Sequence, residues 1–505
     1  MRAWRSGATA VILAFFGLAL LPRATWPLID PDVWWHIRAG EQVLQTGAVA
    51  RVDTWSLTAA GHPWTSQDWL SNVLLALGYR LGEWGMTLLS LAAAGIAVAA
   101  FALLWRAVSV RYPEAGWLGR VAWFSMALLL AGPVLGVRVQ VVDLLFAAVV
   151  LWLLWRFLAD GRRLWPALLP LVAVAWVNLH AGWLLLFLFG GAVVVGEAAD
   201  RLLQRPTSPQ PLAWSQLGWL AAMLAASAAA LALNPNGVAI YAYPSYTVGI
   251  GALSDFVGEW QHASLGNLFG WLLLAFILFG VLPTLVVVRR TIRLADALIL
   301  LGVTAMSLIA VRFLVITGPI GCAIVAANLS PAVSDSAFGR SWSPMLNRLA
   351  RPARGGLAVV NTVLVVVLLA SGIGLAFARA MPASQREEVA REFPVSAVAW
   401  LKTHDAGQRV FNKYEWGGYL GLQIPTRPIF IDGRADVYGD RVVREYVSVI
   451  GLDGDPQAVF DRYRIDHVIY PPDTALGNWL DASSSWKRAY ADSVAIVWTK
   501  RSRGG

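Results

Sequence analysis

Eleven apolar stretches, most of them close to the roughly 20 residues that one membrane crossing needs, lie near 7–22, 86–105, 117–136, 139–158, 164–179, 182–198, 214–233, 268–288, 294–311, 313–329 and 356–378. Hydrocarbon offers an exposed backbone no hydrogen-bonding partner, so a chain written this way is expected to cross as helices. With 57% hydrophobic residues, 14% charged residues and a mean hydropathy of +0.58, a string of soluble domains is excluded. Arg2 and Arg5 before the first stretch also fit the start of a signal peptide. Ten further stretches behind it favour an uncleaved anchor.

The formal charge of +9 and the pI of about 9.9 would suggest nucleic acid in a soluble protein. Position decides otherwise. From Met1 to Arg379 there are 24 Arg, no Lys and 15 acids, and the remainder carries 16 basic and 16 acidic residues. With a cytoplasmic amino terminus, the inner segments hold 17 Arg against 6 acids and the outer ones 7 against 9. That asymmetry is the positive-inside pattern, so the basicity is an orientation signal and no nucleic-acid partner is implied. The single cysteine, Cys322, excludes an intrachain disulfide.

The expected fold class is an α-helical multi-span membrane protein of about 11 spans with a carboxy-terminal extracytoplasmic α/β domain. Residues 1–380 form the membrane domain, with a large first outer loop at 23–85, and 381–505 form the soluble domain. The loop predicts helices over Asp32–Thr46 and Gln67–Leu81, amphipathic and expected to lie in the interface. The soluble domain predicts strands at Arg409–Phe411, Pro428–Ile431, His467–Tyr470 and Ala495–Thr499, and helices at Pro394–Thr403, Asp455–Tyr463 and Gly477–Ala482.

Polar residues gather at the outer ends of the spans: Asp30, Asp32, His36, Arg38, Gln67, Asp68, Arg138, Gln140, Asn178, His180, Asn234, Asn236, Glu259, His262 and Arg312. Irregular polar backbone at such depth is tolerated where it lines a cavity. In Asp30-Pro-Asp-Val-Trp-Trp-His36 the two carboxylates can bind a divalent cation, Mg or Mn, with His36 beside them, or supply a general base. Either aspartate can equally cap the following helix. Arg138 and Arg312 lie outside despite the positive-inside rule, which suits a bound phosphate or a salt bridge to Asp143 or an outer-loop carboxylate. In Trp416-Gly-Gly-Tyr419 and Asp432-Gly-Arg434-Ala-Asp436, the glycines admit a close ligand or a tightly packed turn.

Taken with Pro63-Trp-Thr-Ser-Gln-Asp-Trp-Leu70, Asn178-Leu-His180 and Asn234-Pro-Asn-Gly237, these motifs resemble an uncharacterised bacterial branch of the GT-C integral-membrane glycosyltransferases. The soluble domain is distantly similar to that of oligosaccharyltransferase catalytic subunits, whose Trp-Asp-Tyr-Gly motif is only partly matched by Trp416-Gly-Gly-Tyr419. The resemblance implies a multi-pass protein of the bacterial inner membrane, among membrane lipids, with its carboxy-terminal domain outside. It implies transfer of a sugar from a polyprenyl-phosphate-linked donor to an extracytoplasmic acceptor, whose class stays open, with inversion. Asp32, or Asp30, is then the base; Arg138, Arg312, His36, Asn178 and His180 bind the donor phosphate; Gln67, Asp68, Glu259, Trp416, Tyr419, Asp432 and Arg434 serve the acceptor or support the site. A transporter or flippase of a lipid-linked or anionic solute, or a non-catalytic envelope assembly protein, is the alternative.

Overall fold

The computed structural model describes residues 7–25, 29–113, 116–132, 135–207, 209–248, 251–336, 340–341, 355–404 and 409–501. It divides into two compact units. The first joins Met1–Trp26, Ser90–Leu233 and Gln261–Arg379; the second joins Pro27–Leu89, Asn234–Trp260 and Ala380–Gly505. The first outer loop thus shares a unit with the carboxy-terminal region, as does a segment between two apolar helices.

All eleven apolar stretches are helical, and the chain is an integral membrane protein. Among the described residues seven helices are long and apolar enough to cross a membrane: Glu83–Arg111, Val141–Asp160, Ala181–Leu202, Trp214–Leu233, Leu268–Val287, Val311–Asp335 and Gly356–Ala380. Four are shorter, Ala10–Ala24, Gly119–Ala131, Leu164–Leu179 and Leu294–Ile309. At 1.5 Å per residue they fall short of a hydrocarbon core of about 30 Å.

In lipid, helices associate by close packing and internal polar contacts, because burial of apolar surface gains little there. Gly196 shows the first: a Cβ on it would stand 2.2 Å from the backbone N of Ala295, so the helices Ala181–Leu202 and Leu294–Ile309 touch through a residue without a side chain. The second is a buried charge network beside that contact. Arg293 pairs with Glu197, whose other oxygen accepts the Leu212 N–H at 3.0 Å; Asp200 accepts the Leu294 N–H at 3.1 Å and lies 2.9 Å from Arg205 Nε. Asp296 accepts the Tyr112 hydroxyl at 2.6 Å and the Trp155 indole at 2.9 Å.

The second unit has a four-stranded sheet. β1 (Val410–Asn412) runs parallel to β2 (His467–Tyr470), which pairs antiparallel with β4 (Ile496–Lys500), and β3 (Trp486–Ala491) closes the far edge antiparallel to β4. β3 escapes a sequence reading because its Trp-Lys-Arg-Ala-Tyr-Ala run is polar and mostly exposed, as an edge strand can be. The expected strand at Pro428–Ile431 is absent; Ile429 instead makes isolated parallel bridges to Ser56 and Val410. Helices Pro382–Glu392, Gly417–Gln423 and Ala435–Gly451 were not expected, and the last is broken at Gly439, where φ is 68°.

The two expected loop helices form, as Pro31–Thr46 and Trp69–Arg80, and pack against each other, while Leu74 and Leu77 of the second stay exposed. Gly40 lets them meet, since a Cβ there would stand 1.9 Å from the Asn72 carbonyl oxygen. Ala39, Trp55, Ala59 and Trp64 join Phe411, Phe430, Trp486 and Trp498 in one hydrophobic core. Three tryptophans of this loop, Trp34, Trp55 and Trp64, are buried.

Two glycines on one helix separate packing from propensity. Gly196→Ala is expected to lower the thermal midpoint in detergent and the yield of monodisperse protein. Gly191→Ala, with open space around its Cβ position, is expected to hold the midpoint or raise it by the equivalent of about 0.5–1 kcal/mol of helix propensity.

Candidate functional site

In the second unit Pro31 starts a helix, and the residue before it caps that helix. Asp30 is buried and its carboxylate accepts the Asp32 N–H at 2.8 Å. Asp32 then stands in the first turn, only half-buried, where the helix dipole favours its charge; it accepts the Trp35 indole N–H at 3.0 Å. Capping thus falls to Asp30, and Asp32 is the aspartate left at the surface of the motif.

The helix continues to His36, which is buried with Nδ1 at 2.6 Å from Asn72 Oδ1 and 3.3 Å from Asp68 Oδ2. Asn72 also donates to Ser66 Oγ at 3.1 Å and Asp68 at 3.4 Å. The backbone of Gln67 accepts the Asn234 amide at 2.8 Å, and Asn236 donates to Asn234 Oδ1 at 2.9 Å, so the Asn234-Pro-Asn-Gly237 turn is pinned to the first loop. Asn72 is the member of this network that the sequence reading missed, and nothing in its apolar surroundings signals it.

The Asp-Gly-Arg motif closes against Asp32. A Cβ on Gly433 would stand 1.9 Å from Asp32 Oδ1, so the 431–434 loop lies directly on the carboxylate. Gly417 and Gly418 do the same for the Trp-Gly-Gly-Tyr turn: a Cβ would meet the Ile431 carbonyl oxygen at 2.0 Å in one case and that of Pro31 at 2.9 Å in the other. The glycines serve backbone packing, the second of the two readings left open by sequence.

Arg434 anchors this arrangement. It is buried, makes a bidentate pair with Asp432 (Nε to Oδ1 3.0 Å, Nη2 to Oδ2 2.8 Å), and lies 2.8 Å from Asp53 through Nη1. Its guanidinium sits 4.2 Å from the centre of Trp55 and 4.6 Å from that of Trp64. Its counter-charges hold its pKa above the usual arginine range against the cost of burial. Arg38 is 4.4 Å from the Trp55 ring and donates to the Pro425 carbonyl at 3.2 Å; burial first, then the nearby Arg434, pushes its pKa down to about 10.

Four residues expected to serve the acceptor or support the site are built into the walls. Asp432 and Arg434 form the buried ion pair, Trp416 donates to the Glu392 carbonyl at 2.9 Å, and Tyr419 is wedged between Trp34 and Phe393 at 5.0 and 5.2 Å. Burial together with the charges of Asp32, Asp432 and Glu259 pushes the Tyr414 phenol well above its usual range, which places Glu259 in this acidic neighbourhood. Asp436, unforeseen as a site residue beyond its motif, is pushed up to about 6 by burial, with Arg434 opposing and Asp68 and Asp432 adding to the shift.

Among the described residues no three His, Cys, Asp or Glu side chains converge to hold a metal ion, and His36 is directed to Asn72 and Asp68.

In the first unit the second polar group lies where Val141–Asp160 begins. Asp143 accepts the Trp176 indole at 2.7 Å and lies 2.6 Å from His180 Nδ1, and Gly182 has no room for a side chain beside it. Asp143 is thus bound to His180. Asn178 donates to the Val174 carbonyl at 2.8 Å. Arg138 and Arg312 are half-buried in the irregular joints that precede Val141–Asp160 and follow Leu294–Ile309.

No protein-family model and no curated protein matches the chain. Solved structures do resemble it. ArnT from Cupriavidus metallidurans, solved bound to undecaprenyl phosphate, is 13% identical, with a TM-score of 0.49 over 98% of both chains. The archaeal oligosaccharyltransferase AglB from Archaeoglobus fulgidus, solved with an inhibitory peptide and a dolichol-phosphate, is 12% identical, with a TM-score of 0.51 over 92% of this chain and 69% of that one. At such identity the likeness concerns architecture, and the fold is GT-C-like.

The elevated Asp436 carboxyl gives a pH test. Because its folded pKa lies above the unfolded value, the stability it contributes is complete below about pH 3.8 and is lost as pH rises through about 6. Asp436→Asn is expected to raise the thermal midpoint at pH 7.5 and to leave it nearly unchanged at pH 4, read from unfolding curves of both proteins at the two pH values.

Proposed function

We propose that the protein is a membrane glycosyltransferase that takes a sugar from a polyprenyl-phosphate-linked donor and passes it, with inversion, to an extracytoplasmic acceptor. The observation that carries this reading is the junction of two distant motifs: the half-buried Asp32 carboxylate, relieved of capping by Asp30, lies against the Gly433 backbone of the Asp-Gly-Arg loop. Its setting is a GT-C-like fold shared with AglB, a protein solved with a dolichol-phosphate. Eleven crossings, an amino terminus in the cytoplasm and an external carboxy-terminal region belong to the same reading, supported by the arginine distribution.

In this mechanism Asp32 removes the proton from the acceptor nucleophile, which attacks the anomeric carbon. The bond between that carbon and the phosphate oxygen breaks, and the lipid phosphate departs with the bonding electrons. Charge then grows on the phosphate, and fixed guanidinium groups stabilise it without reorganising. Arg138 and Arg312 are assigned that role, with His180, oriented by Asp143, as a further donor. Asp432 and Arg434 act indirectly, by fixing the loop that contains Gly433. No step is routed through a metal ion.

Incubation with labelled polyprenyl-phosphate sugars tests the reading. The wild type is expected to transfer or hydrolyse the sugar, and Asp32→Asn to lose about 10²–10⁴ in rate, the usual worth of a general base. Asp30→Ala is expected to keep most of the rate and to lose about 1 kcal/mol of stability with the cap. Full activity in Asp32→Asn would sink the mechanism, and an inert wild type would sink the function.

A further inference from the structure

At the other end of the helix that bears Asp143, a shallow crevice opens between Glu83–Arg111 and Val141–Asp160. Arg156, on its wall, is thirteen residues beyond Asp143, or about 20 Å along an α-helix. Ala107, Val110 and Ala159 make one part of the lining apolar, and Arg111, Trp152 and Arg156 complete it.

The polar atoms there are short of acceptors. Arg111 Nε and Nη2, Arg156 Nε and Trp152 Nε1 are all shielded from solvent and have no hydrogen-bond partner among the described residues. A shielded donor left unpaired is costly, more so when charged, so four around one crevice call for an acceptor-rich group. The chain supplies little of it. Asp160 accepts from Arg156 Nη2 at 3.5 Å and from the Trp165 indole at 2.9 Å, while Asp296, behind the wall, is occupied by Tyr112 and Trp155. Aromatic faces hold the two guanidinium groups in place, Tyr112 lying 5.0 Å from Arg111 and Trp165 lying 4.9 Å from Arg156.

We propose that this crevice seats an anionic glycerophospholipid, with its phosphate bound by Arg111, Arg156 and Trp152 and an acyl chain laid along Ala107, Val110 and Ala159. Two arginines and an indole at the end of a pair of apolar helices match the parts of such a lipid: a charged headgroup with several oxygens, then hydrocarbon. Positive-inside orientation accounts for arginines at this end, but it needs them hydrated and does not require shielded, unpaired nitrogens. The site is independent of the catalytic reading, since it lies at the opposite end of the helix from Asp143 and uses none of the residues assigned to transfer.

Native mass spectrometry of the full chain in detergent, titrated with phosphatidylglycerol or with phosphatidylcholine of the same acyl chains, tests it. The wild type is expected to retain one phosphatidylglycerol about tenfold more tightly than phosphatidylcholine, the equivalent of one charge-assisted hydrogen bond. Arg111→Gln with Arg156→Gln is expected to abolish the preference. Trp152→Phe keeps the ring and removes one donor, so it decides the matter if the double variant does not fold; it is expected to weaken phosphatidylglycerol retention and leave phosphatidylcholine unchanged. Equal retention of the two lipids by the wild type, or a preference that survives in Trp152→Phe undiminished, overturns the proposal. So does displacement of the lipid by millimolar inorganic phosphate, or retention of undecaprenyl phosphate in place of phosphatidylglycerol.

Discussion

A guanidinium removed from water has to be met by its own counter-charges, or the structure around it will not form. Arg434 is in that position, and the two carboxylates that answer it come from opposite parts of the chain, Asp53 from the first outer loop and Asp432 from the segment just before it. Such a pair adds little stability over a well-packed apolar substitute, because desolvation consumes most of the attraction. Its effect is to permit few alternatives. The loop can meet the carboxy-terminal region only in the register that brings Asp53, Trp55 and Trp64 around this one cation. Once that register is set, Gly433 falls on Asp32 and Gly417 on Ile431.

The parts of this architecture legible in the sequence are those written locally. Apolar runs announced the helices because hydropathy is a property of a window, and the Asp30-Pro-Asp motif announced a helix start because capping acts within three residues. The partnership of Asp53 with Arg434 has no local signature, and neither does that of His36 with Asn72. Local patterning misled at Pro428–Ile431, where β-branched and aromatic residues suggested a strand and the chain forms only isolated bridges at Ile429. Only the tertiary structure shows Trp55 and Trp64 stacked on a cation in a protein core.

Polar residues near the spans divide into three kinds that composition alone confuses. Glu197, Asp200, Arg293 and Asp296 are internal ties between helices, each matched by a donor or a counter-charge. Asp143 and His180 form a pre-arranged pair at a helix start, the geometry in which a carboxylate fixes which ring nitrogen of an imidazole carries its proton. Arg111 and Arg156 retain unused donors.

The three-part construction of the second unit also dictates an order of events during synthesis. Trp55 and Trp64 leave the ribosome about 380 residues before Arg434, which at roughly 5–20 residues per second is on the order of 20–80 seconds. Throughout that interval the first loop has helices but no core, and its indoles and the Asp53 carboxylate lack the groups that enclose them. The carboxy-terminal region is accordingly the closing piece of a domain begun at the other end of the chain. A nascent chain interrupted anywhere before Asp432 is left holding an open hydrophobic surface, a natural target for the chaperones and proteases that remove unfinished membrane proteins.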